Sequence, residues 1–206
     1  MTLGPNIILK LPTSGTLVKI ATIASGNTFG ATFWTDGKRE APMLPDQPWL
    51  RRHPTTDELF WTDECEKIAE QTFWDQEPTY SNIPFAAKPT VHDYRRALSS
   101  GIASTPEQEK YIRMRCWWAA NDPVRRGAST APPLPEFREN LLKLRTLFDL
   151  TDAHQRLMAA EASRQLRDFT TAANLLDFQF PKDHAKVVHL IKNLTSEEDF
   201  TVRQVA

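Results

Sequence analysis

The chain has 206 residues, with 25 Lys and Arg against 26 Asp and Glu, and a formal net charge of −1. This balance lacks the strong basic excess that is typical of nucleic-acid-binding proteins. No apolar run approaches the roughly 20 residues that span a membrane, and residues 1–15 lack the layout of a signal peptide. Two cysteines in distant segments, Cys65 and Cys116, are typical of reduced thiols, so we expect a cytoplasmic protein.

The first part of the chain predicts a small antiparallel β module. Residues 6–11, 17–24 and 28–35 are predicted strands, because apolar and polar residues alternate or β-branched residues dominate. Gly26-Asn27 and Asp36-Gly37 are typical of tight turns between strands. A sheet of so few short strands is not stable alone. We therefore expect this module to be stabilised by packing against other parts of the protein.

The segments SGNTFGATFWTDGK, APMLPDQPWL and ELFW resemble the start of a bacterial protein family of uncharacterised function. The resemblance implies a zinc-ribbon-like knuckle with a Cys-Pro-x-Cys pair just before the Phe-Trp strand. Here residues 53–56 read HPTT, so only His53 could ligate, and Cys65 lies in a predicted helix over residues 63–71. A structural zinc site needs four nitrogen or sulfur ligands. We therefore expect a degenerate ribbon that keeps its shape without metal or other cofactor.

The middle of the chain predicts a loop over residues 75–89, a short helix over 91–99 and a longer helix that begins at Thr105. Thr105 can cap the longer helix, with proline in its first turn and Gln108 placed for a capping box. Pro123 predicts the end of this helix at Asn121. A linker follows over residues 127–135.

The last third predicts helices over residues 137–150 and 183–194, with a helical hairpin over 154–179 between them. The hairpin is similar to a tetratricopeptide repeat, with Arg167 where such a turn often carries glycine. Left-handed geometry at Arg167 costs about 1 kcal/mol. The segments HDYRRALSSGIASTPEQEKYIRMRCWWAANDPVRR and RLMAAEASRQLRDFTTAANLLDFQF resemble the helical part of the same bacterial family, which implies a binding role.

These elements predict an α+β protein in which a small N-terminal antiparallel β module precedes a mainly helical domain with the tetratricopeptide-like hairpin. The predicted domains are a β-rich ribbon-like module over residues 1–75, a linker with the first helices over 76–135, and the helical domain over 136–206. We expect one hairpin of this kind and no long repeat array.

The aromatic residues suggest the first candidate site. Most of the aromatic side chains of the first 75 residues are expected to form the core of the β module, whereas some could anchor a bound protein, since aromatic residues dominate protein interfaces. This set is Phe29, Phe33, Trp34, Trp49, Phe60, Trp61, Phe73 and Trp74. The predicted protein-binding residues are Trp34, Trp49, Trp61 and Trp118.

A second candidate site would bind nucleic acid through the helix that carries Trp117, with stacking on an aromatic ring and phosphate contacts. Its residues are Arg113, Arg115, Arg125 and Arg126. The neutral overall charge favours the alternative, in which these side chains cover the helical core.

No set of residues predicts catalysis. The carboxylates of Asp63, Glu64, Glu66 and Glu70 follow helical spacing but lack a positioned partner, which is typical of a solvated acidic face. We therefore expect a non-enzymatic adaptor that binds another protein, alone or within a larger bacterial complex. The alternatives are the nucleic-acid-binding protein and an immunity-type protein that neutralises a toxin.

Overall fold

The computed structural model describes residues 1–72, 74, 78–128 and 135–205. The chain forms two compact units. The β unit comprises Met1–Ala31 and Glu40–Ile102, and the helical unit comprises Thr32–Arg39 and Ala103–Ala206. Small antiparallel sheets in the N-terminal half and helices in the C-terminal half confirm the predicted α+β class. The predicted boundaries after residues 75 and 135 fall at or beside residues outside the described ranges and stay predictions.

The described residues contain ten strands, all of them short. Their bounds are β1 Thr2–Leu3, β2 Asn6–Lys10, β3 Leu17–Ile20, β4 Ile23–Ser25, β5 Thr32–Trp34, β6 Arg39–Glu40, β7 Leu50–Arg52, β8 Leu59–Trp61, β9 Glu66–Gln71 and β10 Gln204–Val205. They form sheets in the orders β3-β2-β9, β10-β5-β6, β1-β4 and β7-β8. The turn at Asp36-Gly37 is confirmed, whereas the turn predicted at Gly26-Asn27 lies instead at residues 28–31.

The core of the β unit lies on the sheet β3-β2-β9. Ile8 in β2 and Val18 in β3 are wholly buried. Phe60 of β8 belongs to the same apolar cluster as Val18. The loop that precedes β9 places the half-buried Cys65 against this cluster. A shared apolar layer therefore stabilises these short strands.

The helix predicted over residues 63–71 is wrong, because Glu66–Gln71 is strand β9. Its backbone pairs antiparallel with β2, with Asn6 opposite Gln71 and Lys10 opposite Glu66. Glutamate, lysine and alanine are good helix formers, but intrinsic propensity amounts to less than about 1 kcal/mol per residue, and pairing with an existing strand overrides it here. Glu66 and Glu70 consequently lie on an exposed strand rather than on one helix face.

The described residues contain six α-helices. They are α1 Val91–Ser100, α2 Pro106–Arg125, α3 Glu136–Arg145, α4 Ala153–Gln165, α5 Phe169–Leu176 and α6 Ala185–Ser196. Local sequence explains their ends: Thr90 and Asp93 form a capping box for α1, and Asp152 caps α4 by accepting from the amide of Gln155. The core of the helical unit gathers side chains from α2 to α6, among them Trp117, Leu141 and Leu157.

Helix α2 differs from its prediction at both ends. Thr105 caps it as expected, but the Gln108 side chain accepts from the amide of Ser104 at 2.7 Å instead of closing a capping box on Thr105. The helix also continues through Pro123 to Arg125. Proline removes one hydrogen bond, and the ladder resumes where the amide of Arg126 donates to the carbonyl of Asp122 at 3.2 Å.

The helices predicted over residues 154–179 are confirmed as α4 and α5, which pack against each other. Arg167 in the turn between them has φ of 63°, the left-handed conformation expected from the sequence. Its guanidinium carbon lies 3.9 Å from the ring centroid of Phe200. A cation–π contact therefore offsets part of the strain at this turn.

Arg167→Gly is expected to change the free energy of unfolding by no more than about 0.5 kcal/mol, since relief of left-handed strain and loss of the cation–π contact have opposite signs. In a Phe200→Leu background the same substitution should stabilise the protein by about 1 kcal/mol. Urea denaturation of the four proteins in this cycle measures both values. Equal effects in the two backgrounds would show that the ring does not support the turn.

Asp168 caps α5 and also accepts from Arg145 Nη1 at 2.8 Å. Burial alone would raise the pKa of Asp168, but hydrogen bonds from Arg145 and Thr171 outweigh it and lower that pKa below 3.8. A lowered pKa means that the charged form stabilises the fold above the unfolded pKa, and that this contribution is lost as pH falls through the folded pKa.

Asp168→Asn retains a capping oxygen and removes the charge. The variant should be less stable than the wild type at pH 7, and the difference should shrink as the pH falls through the lowered pKa of folded Asp168. Urea denaturation at neutral and at successively more acidic pH is the measurement. A difference of constant size over the whole acid range would show that the charge of Asp168 does not contribute.

Candidate functional site

A buried polar network lies at the centre of the helical unit, on α4. This helix is buried without interruption from Leu157 to Gln165. Glu161 and Arg164 are both 0% exposed, and the guanidinium binds the carboxylate through Nε at 2.8 Å and Nη2 at 2.6 Å. Glu161 Oε1 also accepts from Gln165 Nε2 and from Thr35 Oγ1, each at 2.7 Å. The carboxylate therefore has a full set of internal donors.

The network continues from α4 to α2 and to the turn after β5. Gln165 Oε1 accepts from Trp117 Nε1 at 2.9 Å and from Asn121 Nδ2 at 3.1 Å. Asn121 also donates to Asp36 Oδ2 at 2.8 Å, and the same carboxylate is ion-paired with Arg125. Burial raises the pKa of Asp36, and Arg125 and Asn121 only partly oppose this effect.

This network is suited to holding structure rather than to catalysis. A general acid or base must reach the atom that gives or takes the proton. Asp36 and Glu161 are 0% exposed and hydrogen-bonded within the unit. Both carboxylates therefore join β5, α2 and α4 into one polar centre.

The four predicted protein-binding tryptophans lie in two places. Trp61 is wholly buried in the β unit, and its Nε1 donates to the carbonyl of Ile102 at 2.9 Å. The ring centroids of Trp49 and Trp61 are 4.5 Å apart. Trp34 and Trp118 are half-buried in the helical unit. Trp118 Nε1 donates to the carbonyl of Asp36 at 2.9 Å. All four have internal contacts, and Phe73 of the wider aromatic set lies outside the described residues.

The four arginines of the nucleic-acid hypothesis have different surroundings. The Arg125 side chain is 2% exposed, and it is ion-paired with Asp36 and with Asp122. Arg113 Nε lies 2.8 Å from Glu109. Arg115 lies over the ring of Trp118 at 5.3 Å, and Arg126 is exposed. Arg125 is consequently part of the buried network, which leaves it unsuited to contact phosphate.

The knuckle-like turn at His53 has a geometry that does not fit zinc. His53 is 3% exposed, and its Nδ1 accepts from the amides of Thr55 at 3.3 Å and Thr56 at 3.1 Å. Burial and the nearby charges of Glu64, Glu58 and Asp63 raise the pKa of Cys65 to about 11, so its side chain is a neutral thiol at neutral pH. Within the described ranges, no group of three or more His, Cys, Asp or Glu side chains could hold a metal.

The β unit carries an exposed apolar surface that includes Phe29, which belongs to the predicted aromatic set but not to the four predicted protein-binding residues. We call it the Phe29 surface and define it by Leu3, Phe29 and Met43, which are 69%, 86% and 39% exposed. Pairing of β1 with β4 and a hydrogen bond from the Asn27 amide to the Met43 carbonyl bring its segments together. Of the first 35 residues only Lys10 and Lys19 are charged. This scarcity of charged residues is the feature of the sequence that could have indicated an exposed apolar surface here.

No model of a known protein family matches this chain, and searches of curated proteins and of solved structures also give no match. None of the described helices is long and apolar enough to cross a membrane.

Arg125→Ala should lower the free energy of unfolding by about 3 kcal/mol or more, because it leaves the buried carboxylate of Asp36 without its charge partner. Arg126→Ala removes the next, exposed guanidinium and should change stability by less than about 0.5 kcal/mol. Chemical denaturation of both variants makes the comparison. Similar small effects at the two positions would place Arg125 outside the stabilising network.

Proposed function

We propose that this protein is a non-enzymatic adaptor that binds another protein through the Phe29 surface. The supporting observation is the exposure of Leu3, Phe29 and Met43, of which Leu3 and Phe29 lie in a stretch of 35 residues that contains only two charged side chains. Large apolar side chains exposed on neighbouring segments are candidates for a site of interaction. Depletion of charge and the presence of an aromatic anchor are typical of the centre of an interface.

The internal use of polar side chains supports the non-enzymatic part of the proposal. Asp36, Glu161 and Arg164 are buried and bonded to one another or to the backbone, where no substrate could reach them without rearrangement. The resemblance to a bacterial family adds an expected binding role, with a degenerate zinc ribbon and a tetratricopeptide-like hairpin, to this proposal. The cytoplasmic setting is expected from the two cysteines in distant segments. An adaptor of this kind acts alone or within a larger complex.

The two alternative functions have less support. Nucleic-acid binding would use Arg125, whose guanidinium is already held by Asp36 and Asp122. An immunity-type role would need a surface complementary to a toxin, and no particular residue supports one. We therefore design the experiment to test the adaptor hypothesis.

Phe29→Asp should abolish capture of the partner, because an interface that is closed around an apolar anchor cannot accommodate an unpaired charge. Tagged wild type and variant are expressed in the native cells and the bound proteins are quantified by mass spectrometry. Loss of a hot-spot anchor corresponds to about 30-fold weaker binding, at about 2 kcal/mol. The matched control is Leu142→Asp, which introduces the same charge at an apolar position of α3 that is 38% exposed.

The proposal requires one protein that is enriched with the wild type and with Leu142→Asp but is lost with Phe29→Asp. That protein is then purified, and its direct binding is measured by titration calorimetry against the same three proteins. If every enriched protein binds Phe29→Asp as tightly as the wild type, the Phe29 surface is not the binding site.

A further inference from the structure

Residues 199–205 cross the helical unit as an extended segment. Strand β10 pairs antiparallel with β5, with Gln204 opposite Trp34 and Val205 opposite Phe33. Just before this pair, the amide of Thr35 donates to the carbonyl of Arg203 at 2.8 Å, and the Arg203 amide donates to Thr35 Oγ1 at 3.1 Å. The segment thus adds a strand to the edge of β5.

The other side of the segment is held by Arg164 of α4. Nη2 of this buried guanidinium donates to the carbonyl of Thr201 at 2.8 Å, and Nη1 donates to the carbonyl of Asp199. Glu161 fixes the guanidinium in place from behind through two hydrogen bonds. Val202 is 3% exposed and is the fully buried side chain of the segment. The segment therefore lies in a groove between β5 and α4.

Most of these contacts are made to the backbone of the segment. Three carbonyls, those of Asp199, Thr201 and Arg203, accept hydrogen bonds, and one amide donates. Recognition of an extended backbone together with alternate side chains is the mode of β-augmentation, by which proteins bind peptides of varied sequence. A groove built in this way can accept another extended chain.

The segment also has the features of a preformed ligand with a hinge. Asp199 Oδ1 accepts from the amide of Thr201 at 2.7 Å, and Asp199 Oδ2 accepts from Arg203 Nη2 at 2.6 Å, so its shape depends partly on its own contacts. Glu198, which precedes it, has φ of 55°. This conformation is strained for a residue other than glycine, so the chain gains by leaving it when the segment moves away.

We propose that the groove between β5 and α4 is a second protein-binding site, and that residues 199–205 occupy it as a displaceable internal ligand. The external ligand is an extended protein segment with an aliphatic side chain in the position of Val202 and free carbonyls for Arg164. The tethered segment competes at a high effective concentration, so the external ligand binds weakly until the internal one is released. This site is independent of the Phe29 surface.

The test uses the full chain and a fluorescein-labelled peptide, DFTVRQV, which copies residues 199–205. Val202→Asp weakens the internal segment and should bind the peptide at least 10-fold more tightly than the wild type in fluorescence anisotropy. Leu142→Asp should behave like the wild type. A peptide with aspartate in place of the first valine should not bind, and methylation of the peptide nitrogen that matches Arg203 should weaken binding.

A folded Val202→Asp protein that does not bind the peptide overturns the proposal, and so does equal binding of a scrambled peptide. If this variant does not fold, amide hydrogen exchange of the wild type tests the proposal instead. The Arg203 amide should exchange at least 10-fold faster than the amides of α4, because the segment opens without global unfolding. Exchange of both at the same rate would show that the segment is never released, which also overturns the proposal.

Discussion

The buried ion pair between Glu161 and Arg164 is the interaction on which the helical unit depends. Removing two charges from water costs several kcal/mol each, so the pair is tolerated only where every donor and acceptor finds a partner. Thr35 and Gln165 complete the carboxylate, and the carbonyls of residues 199–205 complete the guanidinium. One helix therefore dictates where the β5 turn and the last described strand must lie.

This constraint also shapes how the unit could bind a partner. Helix α4 is buried from Leu157 to Gln165, and the chain's own segment lies across it. Apolar surface is instead exposed on the β unit at Phe29. An adaptor with one open surface and one internally occupied groove would respond to two partners differently, binding the first directly and the second only after displacement.

The turn at His53 is closed by local hydrogen bonds. The imidazole Nδ1 accepts from two backbone amides, and the next residues return to β8 through a hydrogen bond from the His53 amide to the Glu58 carbonyl. The left-handed φ of 60° at Asp57 lets so short a loop close. Contacts between neighbouring residues thus fix the geometry of this turn.

Local features of the sequence determined the α+β class, the helical hairpin and the place of Arg167 in its turn, because each depends on residues within a turn or two of one another. Tertiary structure alone decided that Glu66–Gln71 is a strand, since its pairing partner β2 lies far away in the chain. It also decided which aromatic and charged groups are exposed. Trp61 and Arg125 are buried whereas Phe29 is not, because burial depends on distant elements that pack around a side chain, and sequence spacing does not record them.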